Sequence, residues 1–363
     1  MKLNVKLENL DDELFYKRLA IRVGSKEIVT PVKASDKKNP ISYINEIYKR
    51  FKLDKINKCL SDESQERIAN IELKRLRTSG INFFIVDYPE LKTPNDEQIG
   101  FLSDIQYSYS DLVITPTWSK ITRTLTGEDL LSSFLSLTNK FYDIIQTLNH
   151  KSIIGLIPSN MPRQFLEPII KNYIDKDITS YIIDFQGSSV SSKPSWIRQL
   201  LRLINDNALL ESSFIYSTNA YKATFSKKAN EVLAKDFMSL GFGIDILGNN
   251  HMPTGFTQKA SNELKSRETR RIFDRSSYGY KTLTLKELNK IGLPTERKLL
   301  DNLSLKNQFD ESIVLQERLK ETHSLKPYIE GKTQVTNNVI TDIQKVRKET
   351  FEPDQPEISD FFQ

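Results

Sequence analysis

The middle of the chain alternates short apolar segments with amphipathic ones, and this alternation restricts the fold more than any other feature. The apolar segments are rich in β-branched and aromatic residues, which favours strands. They span residues 80–87, 110–115, 152–157, 180–185, 213–217 and 242–247. The amphipathic segments carry apolar residues every three or four positions and are predicted helices, at 127–150, 165–174, 196–204 and 227–240. Repeated strand–helix units with apolar strands predict a parallel sheet with helices packed outside it.

The number of units bears on whether the sheet closes on itself. With an early strand at residues 26–30, the chain holds about six units, and we predict a closed (β/α)8, TIM-barrel-like α/β domain over residues 1–255. An open, doubly wound sheet is the alternative. Neither a GxGxxG nor a Walker A loop marks the nucleotide-binding turn that many such sheets carry.

Carboxylates stand at the ends of three predicted strands: Asp87, Asp184 and Asp245. In a barrel, the carboxyl ends of the strands form the face on which ligands bind, so two of these side chains are candidates for a base and a nucleophile. The alternative is structural, because aspartate after an apolar run is also a common helix cap or turn former.

Several segments of this domain resemble the tRNA-guanine transglycosylase superfamily. Residues 16–31 are similar to that family's opening hairpin, which ends in Glu-Thr-Pro, and Asp87 falls where the family has the aspartate of its Asp-Ser-Gly-Gly-Phe-Gln motif. Residues 152–157 stand at its Phe-Gly-Ile-Val-Gln strand, and residues 232–248 resemble the helix and strand ending Gly-Val-Asp-Met-Phe-Asp, with Asp245 at the first aspartate. The resemblance covers residues 16–255. It implies a (β/α)8 barrel that exchanges a base in nucleic acid through a covalent aspartyl intermediate.

The chain also departs from that family at the positions that carry its chemistry. Gly248 stands where the family keeps its nucleophilic aspartate, and residues 88–91 replace the glycines that follow Asp87. The family's zinc-binding Cys/His group has no counterpart. Two interpretations follow: the barrel is a binding scaffold, or its chemistry has moved to another pair, for which we predict Asp87 and Asp245 as acid/base and nucleophile.

A basic stretch follows the last predicted strand, within a region at 256–330 that we predict to be helical. Its cations are Lys265, Arg267, Arg270, Arg271 and Arg275, and the aromatic residues 273, 278 and 280 lie among them. Cations neutralise phosphates and nearby rings stack on unpaired bases, so this stretch is a candidate nucleic-acid surface. An ordinary solvated helix with pairs of opposite charge four residues apart is the alternative.

The end of the chain combines a polar segment with a short apolar motif. Residues 331–354 are poor in large apolar side chains, which predicts a flexible linker. Residues 355–363 then match the PIP box, the peptide with which replication and repair proteins bind the sliding clamp (PCNA). The matching residues are Gln355, Ile358, Phe361 and Phe362. The resemblance implies the clamp as a partner; the alternative is a terminus that packs on its own domain.

Composition and charge bear on disulfides, metal centres, cofactors and the cellular location of the protein. A single cysteine, Cys59, excludes an internal disulfide, and three scattered histidines give no metal-ligand spacing, so we predict neither a metal centre nor a cofactor. The formal charge of +5 is compatible with a polyanionic partner. Neither a signal peptide nor a run of apolar residues long enough to span a bilayer is present, which predicts an intracellular protein without a membrane partner. The lack of a dense Lys/Arg cluster favours an archaeal cytoplasm over a eukaryotic nucleus.

Three hypotheses for function follow from these features. The first is a clamp-associated DNA replication or repair factor that binds DNA through its barrel and basic stretch. The second is a base-exchanging glycosyltransferase, a pentosyltransferase if active, that acts on DNA or tRNA. The third is a structural adaptor whose barrel binds another protein.

Overall fold

The structure is a computed structural model that describes residues 2–38, 40–148, 150–223, 229–252 and 269–352. It has a mixed α/β architecture with a large parallel sheet, as the sequence predicts. The strands are β1 (Leu3–Leu10), β2 (Lys17–Val23), β3 (Lys26–Val29), β4 (Val32–Lys33), β5 (Ile44–Arg50), β6 (Ile81–Asp87), β7 (Val113–Ile114), β8 (Ile153–Pro158), β9 (Tyr181–Asp184), β10 (Ile215–Thr218), β11 (Glu231–Leu233), β12 (Ile246–Leu247), β13 (Thr269–Asp274) and β14 (Gly279–Thr284).

The helices cover the outside of the sheet and form most of the C-terminal part. They are α1 (Leu53–Ser61), α2 (Glu63–Lys74), α3 (Asp96–Tyr109), α4 (Ser119–Thr124), α5 (Gly127–Leu148), α6 (Leu166–Ile174), α7 (Pro194–Asp206), α8 (Lys235–Met238), α9 (Leu285–Lys290), α10 (Arg297–Glu321), α11 (Lys326–Glu330) and α12 (Asn337–Phe351). The predicted helices that correspond to α5, α6 and α7 are confirmed. In α5 the buried residues Phe134, Leu137 and Phe141 recur at three- and four-residue spacing, which explains why this segment is helical. Among the described residues, no helix is both long enough and apolar enough to cross a membrane.

Parallel pairing links all six of the strands predicted between residues 80 and 247. Five of the six strands of the large sheet follow the order β12-β10-β9-β8-β7, with β4 beside β12, and β5 pairs with β6 in a second parallel sheet. Backbone hydrogen bonds connect the two sheets at both of their borders. Ser35 N donates to Ile44 O (2.9 Å) just after β4, and Tyr88 N donates to Thr117 O (2.8 Å) between β6 and the segment after β7.

Successive residues of the parallel strands face two different apolar clusters. Phe84 and Val86 of β6 pack with the helices, whereas Phe83 and Ile85 pack with one another and with apolar residues of the other parallel strands. The second cluster also contains Leu19 of β2, which belongs to the antiparallel sheet β1-β2-β3. The N-terminal sheet therefore packs against the apolar cluster that the parallel strands share.

The hairpin predicted at residues 16–31 is present as β2 and β3. The expectation that residues 26–30 start the series of parallel strands is wrong, because β3 pairs antiparallel with β2. The series begins instead with β4 and β5. Strand β5 was missed because charged residues are interspersed with its apolar ones.

The region at 256–330 is not purely helical where it is described. Residues 269–284 form the hairpin β13–β14, and β11 pairs with β14 where a helix over 227–240 was predicted. The aromatic side chains of this hairpin explain the difference. Phe273, Tyr278 and Tyr280 are buried against one another and against Phe237 of α8, so burial of rings outweighs the local charge pattern.

The linker predicted over residues 331–354 is also wrong where it is described. Residues 337–351 form α12, which packs on α7 and on the core. The helix is polar in composition, but its buried residues Ile340, Ile343 and Val346 recur every three positions and form one apolar stripe. One such stripe is sufficient to dock a helix, and composition averaged over the segment hides it.

Candidate active site

Strand β5 places three polar side chains on one face, toward the carboxyl ends of the parallel strands. Glu46, Tyr48 and Arg50 alternate along the strand, and residues two apart on a strand point to the same side. The neighbouring strand β6 runs in the same direction and places Asp87 beside Arg50. The carboxyl ends of both strands therefore lie at one edge, where parallel α/β sheets bind their ligands.

Asp87 is fully buried at this edge and forms an ion pair with Arg50. The Nε atom of Arg50 lies 2.7 Å from Oδ2 of Asp87, and the guanidinium remains about one-third exposed. Burial raises the pKa of Tyr48, and the negative charges of Asp87 and Asp184 raise it further. Tyr48 is therefore near both carboxylates, which come from strands β6 and β9.

Asp184 is the last residue of β9, and its carboxylate is held at one oxygen. Oδ1 accepts hydrogen bonds from Asn219 Nδ2 (2.8 Å) and from Gln186 N (3.1 Å). Gln186 and Asn219 both have positive φ angles, 50° and 57°, so the loops after β9 and β10 adopt a backbone that L-residues rarely use. Burial raises the pKa of Asp184 to about 6, and the charge of Asp87 contributes to the increase.

Glu46 lies deeper in the same face and has four hydrogen-bond partners, two at each oxygen. Oε1 accepts from Thr218 Oγ1 (2.9 Å) and is 2.8 Å from His251 Nε2. Oε2 accepts from the Tyr216 hydroxyl (2.6 Å) and from Asn249 N (2.7 Å). Burial alone raises the pKa of Glu46, but the charge of His251 and these hydrogen bonds outweigh it, and the pKa is lowered. Glu46 is therefore a buried, ionised carboxylate.

His251 follows β12 and completes the cluster. Its ring stacks on that of Tyr48, with 4.7 Å between the ring centroids and 7° between the planes. The side chain of His251 is 23% exposed, whereas that of Glu46 is completely buried. Glu46 and Tyr48 thus hold the imidazole from two directions at the surface of the site.

Lys33 of β4 holds the loop that carries His251. Its Nζ atom donates to Gly248 O (2.6 Å) and to Asn249 Oδ1 (2.8 Å). Burial lowers the pKa of Lys33 to about 8. We call Lys33, Glu46, Tyr48, Arg50, Asp87, Asp184 and His251 the strand-end cluster.

Asp245 does not belong to the strand-end cluster. It precedes β12, and its backbone N donates to the O of Ile215, the first residue of β10. Asp245 therefore lies at the amino ends of the parallel strands, opposite to the strand-end cluster. Its carboxylate lies 3.1 Å from Lys17 Nζ and accepts a hydrogen bond from Ile215 N (2.8 Å). Burial raises the pKa of Asp245 to about 6. The structure therefore does not bring Asp87 and Asp245 together. The carboxylate that lies near Asp87 is that of Asp184.

The aromatic residues of the predicted nucleic-acid surface are not exposed in the structure. Phe273, Tyr278 and Tyr280 are buried in the core and present no face to a base. Arg275 pairs with the buried carboxylate of Glu311 (2.9 Å). Arg270 and Arg271 lie on β13, and Lys265 and Arg267 lie outside the described residues. The clamp-binding residues Gln355, Ile358, Phe361 and Phe362 also lie outside them.

Exposed cations occur instead in the segments after the parallel strands. Each of them follows the carboxyl end of a parallel strand. They are Lys52, Lys120, Arg123, Arg163 and Lys222, and we call them the basic rim. Arg123 lies next to the cluster, because its Nε atom donates to the side chain of Gln186 (3.1 Å), whose backbone N donates to Asp184.

The sequence contains a local signal for strand β5, which was not predicted. The period-two spacing of Glu46, Tyr48 and Arg50 next to apolar residues is typical of a half-polar strand. The pairing of Glu46 with His251 joins residues 205 positions apart and has no local signal.

Comparisons with known proteins add little to this geometry. A scan against protein-family models found no match, and a search of curated proteins found none. Among solved structures, the chain is similar to the enoyl reductase domain of MlnA from the macrolactin biosynthesis cluster of Bacillus amyloliquefaciens, with 10% identity, a TM-score of 0.29, and coverage of 81% of this chain and 76% of that one. A similarity at this level carries no argument about function.

Proposed function

We propose that the eight parallel strands form one closed barrel. Two observations support closure. Hydrogen bonds join the two parallel sheets at both borders, and the resulting circuit β4-β5-β6-β7-β8-β9-β10-β12 follows the order of the strands in the chain. In addition, alternate residues of these strands enclose an apolar cluster of their own, as the filled interior of an eight-stranded barrel requires.

We propose that the protein is a glycosyl-transfer enzyme that cleaves the bond between a base and its sugar in nucleic acid. The observation that carries this proposal is the pair of carboxyl groups in contrasting environments at the strand ends. Asp87 forms an ion pair with Arg50, whereas burial raises the pKa of Asp184 to about 6. Pairs of carboxyl groups whose environments differ in this way divide acid and anion roles in glycoside cleavage.

The chemistry assigns a role to each carboxyl group. A departing base leaves more readily when it is protonated, and a carboxyl group that is protonated for part of the time near neutral pH supplies that proton. Asp184 is the candidate acid. The sugar develops positive charge in the transition state, which a nearby fixed anion stabilises. Asp87 supplies that charge and orients Tyr48 and Arg50.

The basic rim supports nucleic acid as the substrate class. Cations neutralise backbone phosphates and release bound counterions, so a rim of this kind favours a polyanionic substrate across the mouth of the site. The stacked rings of Tyr48 and His251 add a flat surface that is about the size of a base.

The test measures base release and base exchange on single-stranded DNA, duplex DNA and tRNA, with mass spectrometry of the free base. We expect activity on at least one substrate and a decrease of about 100-fold or more in Asp184→Asn. Asp175→Asn, which changes an exposed aspartate after α6, serves as the matched control and should retain activity. No released or exchanged base on any substrate contradicts the proposal, and so does an Asp184→Asn variant as active as the wild type.

We also propose that the C-terminal motif recruits this enzyme to a sliding clamp. Helix α12 ends at Phe351, whose ring packs on Phe15 with 5.5 Å between centroids, and Gln355 follows four residues later. In sequence, the motif thus begins four residues after the last residue of this helix. A clamp-bound enzyme meets DNA at an effective concentration of roughly millimolar order, so weak intrinsic DNA binding is sufficient.

Calorimetry with a purified clamp tests recruitment separately from catalysis. The double variant Phe361→Ala with Phe362→Ala should lose binding, because aromatic anchors dominate such interfaces. Glu357→Gln changes the same segment at a position that does not define the motif, and it should bind as the wild type does. Equal affinity of the double variant and the wild type contradicts recruitment and leaves the proposed chemistry untouched.

A further inference from the structure

The backbone at Gly248 leaves no space for a side chain. A Cβ atom built there would lie 2.5 Å from Glu46 Oε2 and 2.6 Å from a ring carbon of Tyr216, and it would also overlap the backbone oxygen of Ser217. Real Cβ atoms do not approach other atoms so closely. The carboxylate of Glu46 therefore occupies the space that a side chain at position 248 would enter, and no carboxylate from this position serves as a nucleophile.

Glu46 itself is not available for attack on a sugar. Both of its oxygens accept two hydrogen bonds each, and its side chain is completely shielded from solvent. A buried carboxylate whose hydrogen-bonding capacity is fully satisfied positions the groups that bind it. Asp87 is equally shielded and is bound to Arg50. The carboxylates of Glu46 and Asp87 thus hold other side chains in position.

The arrangement of Glu46 and His251 fixes the imidazole for proton transfer. An ionised carboxylate beside one ring nitrogen keeps the proton on that nitrogen and leaves the other as an acceptor. Here Glu46 lies beside Nε2, so Nδ1 is the accepting nitrogen. Stacking on Tyr48 fixes the plane of the ring, and Asn219, which also binds Asp184, accepts a hydrogen bond from His251 N (2.8 Å). The backbone of His251 and the carboxylate of the candidate acid thus bind the same side chain, that of Asn219.

We propose that His251, oriented by Glu46, is a general base that activates water, so that the enzyme hydrolyses the base–sugar bond directly. The water oxygen bonds to C1′ of the sugar, and His251 Nδ1 takes one proton from that water. The bond between C1′ and the base nitrogen breaks, its electron pair leaves with the base, and Asp184 gives the base a proton. The products are the free base and a sugar that carries a hydroxyl group at C1′. This inference rests on the proposed glycosyl-transfer function and specifies water as the acceptor.

The first test uses whichever nucleic acid releases a base in the assay above. We expect the reaction in ¹⁸O-labelled water to place the label on C1′, and we expect His251→Gln to release base at least about 100-fold more slowly. His323→Gln is the matched control, because His323 is exposed and lies after α10. Unchanged base release in His251→Gln, or a covalent protein–nucleic acid adduct trapped during turnover, overturns the inference.

The second test does not depend on activity. Nitrogen-15 NMR of the full chain, which contains three histidines, should show His251 protonated at Nε2 and unprotonated at Nδ1 in its neutral form. Glu46→Gln should disturb this preference, and a wild-type His251 that carries its proton on Nδ1 overturns the inference. Absence of base release in the wild type, by contrast, contradicts the glycosyl-transfer function itself.

Discussion

The ammonium group of Lys17 lies 3.1 Å from the carboxylate of Asp245, and both side chains are almost completely shielded from solvent. Lys17 begins β2 of the N-terminal sheet, whereas Asp245 precedes β12 of the parallel sheet. The pair therefore connects the N-terminal sheet with the parallel sheet. This position explains why an aspartate that resembles a catalytic residue in sequence has a structural role here.

Removal of one partner of this pair should strongly destabilise the protein. Lys17→Met or Asp245→Leu leaves an uncompensated buried charge, and we expect either to lower the free energy of unfolding by about 3–5 kcal/mol in urea titrations. The double variant should recover most of the loss. Lys140→Met, at the exposed pair with Asp96, should cost less than about 1 kcal/mol. If Asp245→Asn abolishes base release at unchanged stability, the structural assignment is wrong.

The pKa of Asp184 predicts a pH dependence of stability. Its pKa in the folded protein is about 6, against about 4 in an unfolded chain. The folded state binds the proton more tightly, so this contribution is fully present below pH 4 and is lost as pH rises through 6. A difference of about two units corresponds to about 3 kcal/mol.

Urea titrations of wild type and Asp184→Asn between pH 4 and pH 7 measure that contribution. Asparagine does not titrate, so the free energy of unfolding of the variant should rise relative to the wild type across this range. Other carboxyl groups titrate in both proteins and cancel in the difference. A difference that stays constant with pH rules out the raised pKa.

Glu311 should be one of the most sensitive positions in the C-terminal part. Its carboxylate binds the hydroxyl groups of Tyr278 (2.8 Å) and Tyr328 (2.5 Å), the ammonium of Lys332 (3.0 Å) and the guanidinium of Arg275. Glu311→Ala leaves these donors unpaired in a buried site, and we expect a loss of about 3–5 kcal/mol in thermal or urea unfolding.

The same helix, α10, supplies a control for this prediction. Glu317→Ala removes an exposed carboxylate and should change stability by less than about 0.5 kcal/mol. The pairing of Arg275 with Glu311 also means that Arg275→Gln should reduce stability as well as any DNA binding. A variant with normal stability and weaker salt-dependent DNA binding would instead support the nucleic-acid role predicted from the sequence.

Local patterns were sufficient to predict six of the eight parallel strands and the helices α5, α6 and α7. The apolar residues of β6 and β9 and the apolar stripe of α5 can be recognised from the sequence of each element alone. The hairpin at residues 269–284 was not predicted because its determining contacts are rings that meet Phe237 in three dimensions, while the local sequence is dominated by arginines.

The sequence identifies individual strand-end carboxylates of the candidate site. It does not show which two of them lie close together. Asp87 and Asp184 end apolar segments and are visible as strand-end carboxylates. Asp245 has the same local pattern, and only strand register shows that it precedes its strand instead of following it. The contact of Glu46 with His251 joins residues 205 positions apart in the sequence, so sequence spacing does not predict it.

Helix α12 should contribute to folding stability, because it occupies the segment that composition suggests is a tether. Ile343 is completely buried, and its Cδ1 atom would lie 2.8 Å from a Cβ placed on Gly241. Ile343→Ala removes three buried carbon atoms at a tight contact, and we expect it to lower the free energy of unfolding by about 2–4 kcal/mol. Asp342→Ala, one position earlier on the exposed face, should have little effect. Equal stability of both variants in urea titrations would mean that residues 337–351 are not docked on the domain in solution. These residues would then belong to the linker that precedes the clamp motif.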